Sequence, residues 1–591
     1  MANPSGAAGK KGKDDSMSKM EKKIARRDFL KGAGAAAVGA AAVSVLGGAA
    51  LAAGTEPDAV SEATSVAAQQ APAEMVAGGT KYTTYANTDE IGILHEAKYF
   101  AQADAVVVGT GIGGMMGAMI LAEQAPDAKI ILLEKNAGCG GSTNYAECNT
   151  PSGGTSDRKA AYKNGYTQSA YSSFIKDPIL LAEMALDRGK NSAWLFTKHN
   201  IGWSGMFYEG GNGRIPMQKL RNEIETDPAY ANIDLRLNTR ASALIVSDDG
   251  YEVTGIQVKN EDGSYTNVSC KAVLLATGGL STNFPLLSYY TGQDVQEKCH
   301  GWGEGQDGDG HLLVEQTAHG QCKGITVSSL FNNVRGFEYD SPLGVAATMQ
   351  PANLYVNQYG LRFTSEAIND TAASGKMVEL AGKVFSIMGQ GLISHFENGG
   401  CTRHYSQFSD ALVGAKCDLQ SEFAKYASNE NVVKADTIRE LAQKIGVDPD
   451  RLESTVRSYE ADCASGEGDS FFGKAAAYMI PLGDGPYYAL RLSSGVLNTN
   501  GGIRIDYNAN VCDPYYTPIR GLFAAGVCCS GYDGEVYGGG TCQTSGMWGG
   551  SKAARVIVED YLGGKVADDW FGPEEYRSAS GEASGGSGEP S

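Results

Sequence analysis

The chain has 591 residues, 42% hydrophobic and 20% charged, the make-up of a globular protein long enough to bury a large core and form two domains. Its formal net charge of -19, with no basic run outside the N-terminus, excludes nucleic acid as a partner. Twelve cysteines include no CxxC pair and no CxxCH, which excludes a c-type haem and a simple zinc knuckle, and no metal ligand set is expected.

Residues 22–31, KKIARRDFLK, precede a run rich in Gly and Ala and end near a small-residue cleavage site at Ala50-Leu51-Ala52. Arg26-Arg27-Asp28-Phe29-Leu30-Lys31 resembles a twin-arginine export signal, a route that carries folded proteins with cofactor in place. Residues 1–52 are therefore expected to be a signal peptide, with the mature protein periplasmic or on the outer face of the cytoplasmic membrane. Loss of nine Lys/Arg and four Asp/Glu takes the charge from -19 to -24.

A short strand of β-branched residues is predicted at 104–109, DAVVVG. Gly109-Thr110-Gly111-Ile112-Gly113-Gly114 follows and opens a helical run, and a second strand, KIILLE, ends in Glu134. Strand, G-x-G-x-x-G, helix, strand and acid make up a dinucleotide-binding fingerprint. Gly109 permits the tight turn, Gly111 lets backbone approach a pyrophosphate, and Gly114 lets helix and strand pack closely. The helix start offers N–H groups and a positive dipole end to phosphate. Glu134 suits ribose hydroxyls.

Further on come Lys135, the loop CGGSTNYAE at 139–147 with Gly141, Ser142 and Thr143, and a buried strand entering Thr277-Gly278-Gly279. Gly308-Asp309-Gly310 opens another helix, and GLFAAG ends at Gly526. Over residues 100–562 this set resembles the FAD-binding fold of the fumarate reductase/succinate dehydrogenase flavoproteins, a superfamily that includes 3-ketosteroid dehydrogenases and urocanate reductases. The resemblance implies an extended FAD, with Ser142 and Thr143 near the flavin ring, Ala241 near the adenine and Thr541 opening a helix toward a flavin carbonyl. No histidine stands at the Ser142–Asn144 loop, so the flavin is expected to be non-covalent.

The expected fold class is α/β: a Rossmann-like FAD-binding domain in two chain segments, 100–325 and 495–563, with an inserted α+β capping domain at 326–494 and a disordered tail at 564–591. Within the cap, Asn357–Glu366 resembles the family's N-x-x-G-x-R-F-x-x-E element, and Arg362 and Glu366 are read as structural partners.

At the substrate site the sequence departs from the fumarate reductases, which hold a dicarboxylate with histidines and arginines and deliver a proton from a third arginine. Asp370 stands where the proton-delivering arginine falls, Asn498 replaces a histidine, ITVSSLFNN lacks the His-Pro-Thr element, and Tyr537 replaces a substrate-binding arginine. In ketosteroid dehydrogenases a tyrosine at this place polarises a ketone; a phenol donates a hydrogen bond to a neutral carbonyl without needing a counter-charge. Tyr537, Tyr532 and Asp370 are the expected catalytic residues, with Asp533 and Glu535 in the same loop.

The implied activity is hydride transfer between flavin N5 and a carbon–carbon bond conjugated to a carbonyl, as a reductase. A membrane-anchored cytochrome or quinol-linked donor would supply electrons. Two alternatives stand beside it: a reductase of another unsaturated carboxylate, anchored by Arg403, His404 or Arg491, and an electron carrier without an organic acceptor.

Overall fold

The computed structural model describes residues 74–77, 80–83 and 90–572, apart from 148–153, 174, 205–206, 302–304, 338–340, 349, 369–370, 402–413, 415 and 417. The twin-arginine stretch, Asp370, Arg403 and His404 lie outside the described residues. Among those described, no helix is long and apolar enough to cross a membrane.

Strand β1 (Ala105–Val108), helix α1 (Ile112–Gln124) and strand β2 (Ile130–Leu133) form the first crossover. With β3 (Ala272–Leu275) they centre a six-stranded sheet, in the order 510–512, 518–524, β3, β1, β2, 233–236. All neighbours are parallel except the first, an antiparallel edge. Every residue of β1, β2 and β3 is buried, as a parallel sheet covered on both faces requires. Strand alternation then sorts them: Val107, Leu132 and Leu274 enter one core with α1, while Val106, Ile131 and Val273 enter another on the opposite face.

Long strand β4 (Cys322–Val334), helix α2 (Thr371–Ala381) and the 17-residue strand β5 (Tyr487–Ile503) lead through the inserted region and back. This region has its own core, built from residues between Val334 and Leu492 and centred on Tyr355, Ile387, Leu392, Leu441 and Leu490. β4 and β5 pair antiparallel from Cys322 opposite Ile503 to Val334 opposite Leu492, so both strands run across the boundaries expected near 326 and 494. Helix α3 (Thr541–Asp560) returns beneath the sheet and crosses α1 at glycines. A Cβ at Gly546 would lie 2.8 Å from Ile112, and one at Gly550 would overlap the Gly113 carbonyl oxygen.

The chain does not loosen at residue 564. Trp570 and Phe571 are buried beside α1 and α3, with Arg555 over the Trp570 ring and Lys198 Nζ donating to the Trp570 carbonyl at 3.2 Å. Two adjacent aromatics bury enough apolar surface to hold a short polar segment down, so the folded part extends past the expected boundary.

Candidate functional site

The loop between β1 and α1 is shaped by steric needs that differ among its glycines. Gly109 adopts φ +99°, and a Cβ there would overlap the Ala276 carbonyl oxygen. A Cβ on Gly114 would overlap the carbonyl oxygen of Gly109. Both are thus demanded by the chain itself. Gly111 is not: its φ is -64°, and an added Cβ would come no nearer than 3.5 Å to Thr143 Oγ1. Its place is explained by an external group that needs the backbone bare. The helical ladder closes first at Met115 N–H to the Gly111 carbonyl, and the Ile112 N–H bonds Thr143 Oγ1 at 3.2 Å. The start of α1, including Gly113, therefore presents amides at the loop. These features fit the pyrophosphate of a dinucleotide.

Glu134 follows β2 directly as a buried carboxylate. Its Oε2 accepts from the Thr110 N–H and hydroxyl, and its Oε1 from the Asn136 N–H at 2.9 Å. Burial is the dominant influence and raises its carboxyl above the usual range, against the pull of those bonds. Lys135 turns to Asp307 at 2.8 Å and Asp309 at 3.1 Å. Arg240 grips Asp309 in a fork at 2.7 and 2.9 Å, beside the buried Ala241. Burial would raise the Asp309 carboxyl, but Arg240 and Lys135 overcome it and hold the group well below its ordinary range. Lys135 and Asp309, both expected at the cofactor, stand here in one buried ion cluster.

The segment after β3 carries the second half of the cradle. Gly278 has φ +75°, and the Gly279 N–H donates to Gln306 Oε1 at 2.9 Å. Gln306 Nε2 in turn contacts Ser142 Oγ and the Leu497 carbonyl on β5. Gln306 thus ties three of the predicted loops together, yet sequence reasoning missed it. The one signal was its position two residues before the Gly308-Asp309-Gly310 turn. Gly141, Ser142 and Thr143 lie in a 3-10 turn that Gly140 enters with φ +109°. Gly526 follows the strand 518–524 with φ +79°.

On the other side of Leu497 lies a second group of side chains. Asn498 Nδ2 donates to Cys542 Sγ at 2.6 Å, at the start of α3. Tyr537 is half-buried, and its hydroxyl oxygen accepts the Gly540 N–H at 3.1 Å, just before Thr541 opens that helix. Asp533 is buried and accepts the Gly538 N–H at 3.2 Å. Tyr532, marked with Tyr537 from sequence, packs in the hydrophobic core with its ring edge-on to Trp548 at 6.2 Å. Among the described residues its buried hydroxyl has no hydrogen-bond partner, while Asp533 and Tyr537 bond backbone N–H groups of the same loop. Cys528 and Cys529 are buried with their sulfurs 3.7 Å apart.

Arg491, one of the cations considered as an acid anchor, is committed to Glu297 at 3.1 Å and lies over Phe385. Arg362 is paired with Glu366 at 2.9 Å and Asp469 at 2.7 Å, with Lys474 on Glu366 at 3.0 Å, all of them buried. This is the structural pairing expected in the cap.

Burial dominates at Asp533 and pushes its carboxyl up to about 6 from 3.8. A folded state that keeps its proton longer than the unfolded chain gains stability below the lower value and loses it as pH rises through the higher one. Relative to Asp533→Asn, which keeps the acceptor for Gly538, the wild type is expected to lose on the order of 3 kcal/mol between pH 4 and pH 7. Denaturant unfolding of both proteins across that range measures the difference; parallel curves would refute it.

Against known proteins, the family described as "FAD binding domain" matches residues 150–542. A vinyl phenol reductase of Lactiplantibacillus plantarum is 28% identical over 499 residues, covering 77% of this chain and 96% of that protein. A cytochrome fumarate reductase of Shewanella frigidimarina is 26% identical over 478 residues, covering 76% and 77%. Among solved structures, the 3-ketosteroid Δ1-dehydrogenase of Sterolibacterium denitrificans superposes with a TM-score of 0.60 over 78% of this chain and 99% of that one, at 18% identity.

Proposed function

From the premise that the chain belongs to the FAD-binding fumarate reductase/succinate dehydrogenase flavoprotein family, and is an FAD-dependent oxidoreductase acting on CH–CH bonds, we propose that it reduces a carbon–carbon double bond conjugated to a ketone-type carbonyl. Bound FAD, when reduced, supplies the hydride equivalent. The chain's own part is to hold the carbonyl so that charge developing on its oxygen is met by a fixed donor.

The observation that carries this reading is the bond between Gly540 N–H and the Tyr537 oxygen. A phenol that accepts through a lone pair keeps its own proton to donate, and accepting makes that proton a stronger donor. Here the acceptor also sits at the positive end of α3, which favours negative charge nearby. Glu134, Gly111 and Ser142 then belong to FAD binding, and Tyr537 to the substrate. The Arg26-Arg27 stretch supports action after export, with electrons from a membrane-anchored cytochrome or quinol oxidoreductase.

The test is anaerobic. The flavin is reduced chemically, and cyclic and steroidal enones are set against fumarate, urocanate and cinnamate-type acids while reoxidation is followed. Enones are expected to reoxidise it quickly, and Tyr537→Phe to slow that step by about 100-fold or more, the usual effect of losing one oxyanion donor. Reoxidation by acids alone, at an unchanged rate in Tyr537→Phe, would overturn the reading.

A further inference from the structure

Two sets of side-chain contacts flank the loop that carries Tyr537, one through Asn498 and Cys542 and one through Lys376. Tyr537 accepts from Gly540, and Cys542, two residues on, accepts from Asn498. Asn498 on β5 stands opposite Ser328 on β4, and the next residue, Ser329, donates to Glu379 at 3.0 Å. Glu379 holds Lys376 Nζ at 2.9 Å. Lys376 then reaches Glu535 at 3.3 Å, two residues before Tyr537. Lys376 is the cation among these groups.

The members of its trio differ sharply in exposure. The Glu379 side chain is 0% exposed and Lys376 9%, whereas Glu535 is 55% exposed. Glu379 is also fixed by Gln293 at 3.2 Å, so it serves as an anchor that orients the lysine. Glu535 touches solvent on one side and a buried ammonium on the other. Solvent, Glu535 and Lys376 are thus arranged in series, on the loop that two residues later carries Tyr537. Asp533, the other acid of the loop, is occupied with the Gly538 N–H and so holds the loop rather than the lysine.

We propose that Lys376 delivers the proton that completes reduction of the double bond, and that Glu535 restores it from solvent. The proposal rests on the reductase reading. In the step, the π bond opens as the β-carbon takes a hydride equivalent from the reduced cofactor, leaving an enolate. The α-carbon then forms its C–H bond with a proton from Lys376 Nζ, whose N–H bond breaks to leave a neutral amine. A proton from solvent, passed through Glu535, returns that amine to the ammonium. The substrate gains two electrons and two hydrogens, and the protein ends as it began.

The experiment uses the holoprotein and whichever acceptor of the panel the wild type reduces. Lys376→Met alone strands the buried Glu379, so Lys376→Ala with Glu379→Gln is made beside it to remove both charges. Both variants are expected to keep FAD, with kcat reduced by about 10²–10⁴-fold and KM little changed, the range for a lost general acid. Glu535→Gln should lower kcat by a smaller factor. Ethylamine or methylamine in the buffer should restore part of the rate in the double variant, which a purely structural ion pair would not show.

A double variant that holds FAD and works at the wild-type rate would overturn the proposal, as would a loss that amines do not relieve. The two readings fail separately. A slow Tyr537→Phe with an unaffected double variant removes only the role of Lys376. An unaffected Tyr537→Phe with an amine-rescued double variant removes only the ketone-polarising role of Tyr537.

Discussion

Gly114→Ala is expected to yield protein that purifies without flavin. The added methyl group would overlap the Gly109 carbonyl oxygen and press on Ala276 Cβ at 3.4 Å, so the loop between β1 and α1 has to move as a whole. Two backbone segments cannot absorb that overlap by a rotamer change, and the amides at the head of α1 leave their positions. Gly111→Ala makes the informative comparison. Its backbone angle suits alanine and its Cβ has ordinary room, so the apoprotein should unfold at the same denaturant concentration as the wild type. Its flavin affinity should nonetheless fall by at least tenfold, because the methyl group takes the space that the phosphates need. Flavin absorbance per protein, with equilibrium unfolding of the apo forms, separates the two. Full flavin occupancy in Gly114→Ala would contradict the steric account, and normal affinity in Gly111→Ala would contradict the placement of the pyrophosphate.

The second large effect is expected in the inserted region. Arg362→Met leaves Glu366 with Lys474 and takes from Asp469 its ion-pair partner, each acid having a 0% exposed side chain. Removing one partner of a buried ion network costs about 3–5 kcal/mol, because the remaining charges stay desolvated without compensation. The unfolding transition that carries this region should move to lower denaturant, while flavin absorbance in the native state is unchanged. Adding Asp469→Asn to Arg362→Met should recover part of the loss, since it neutralises one stranded carboxylate. Equal stability of Arg362→Met and wild type would show that the network contributes nothing net.

How much of this was legible beforehand depends on the range of each interaction. The turn at Gly109–Gly114 could be read because its constraints act over a few residues, so the sequence has to show them locally. The same holds for β1, β2 and β3, whose unbroken apolar runs announce burial on both faces. Arg362 and Glu366 lie within one short motif and were paired from its resemblance to the family's element. Asp469, which completes their network, lies 107 residues from Arg362 and left no local mark. Lys376 escaped notice for the same reason: Glu379 is three residues away, but Glu535 comes from the other end of the chain. The packing of Tyr532 against Trp548 joins a loop to a helix, a contact that no local pattern announces.

Strand β5 carries a mechanical consequence. Its first residues pair with 384–388 in the inserted region, and its later ones bring Leu497 to Gln306 and Asn498 to Cys542. One continuous beam thus serves both regions, and a rigid beam has no pivot. Rotation of one region against the other has to be taken up as torsion along β4 and β5. The register between them slips around Thr326, Ser329 and Phe331, where bulges bend the strand and increase its local twist. Ser329, which donates to Glu379, sits among those slips. Any twist of the beam at these slips therefore acts directly on the lysine's anchor.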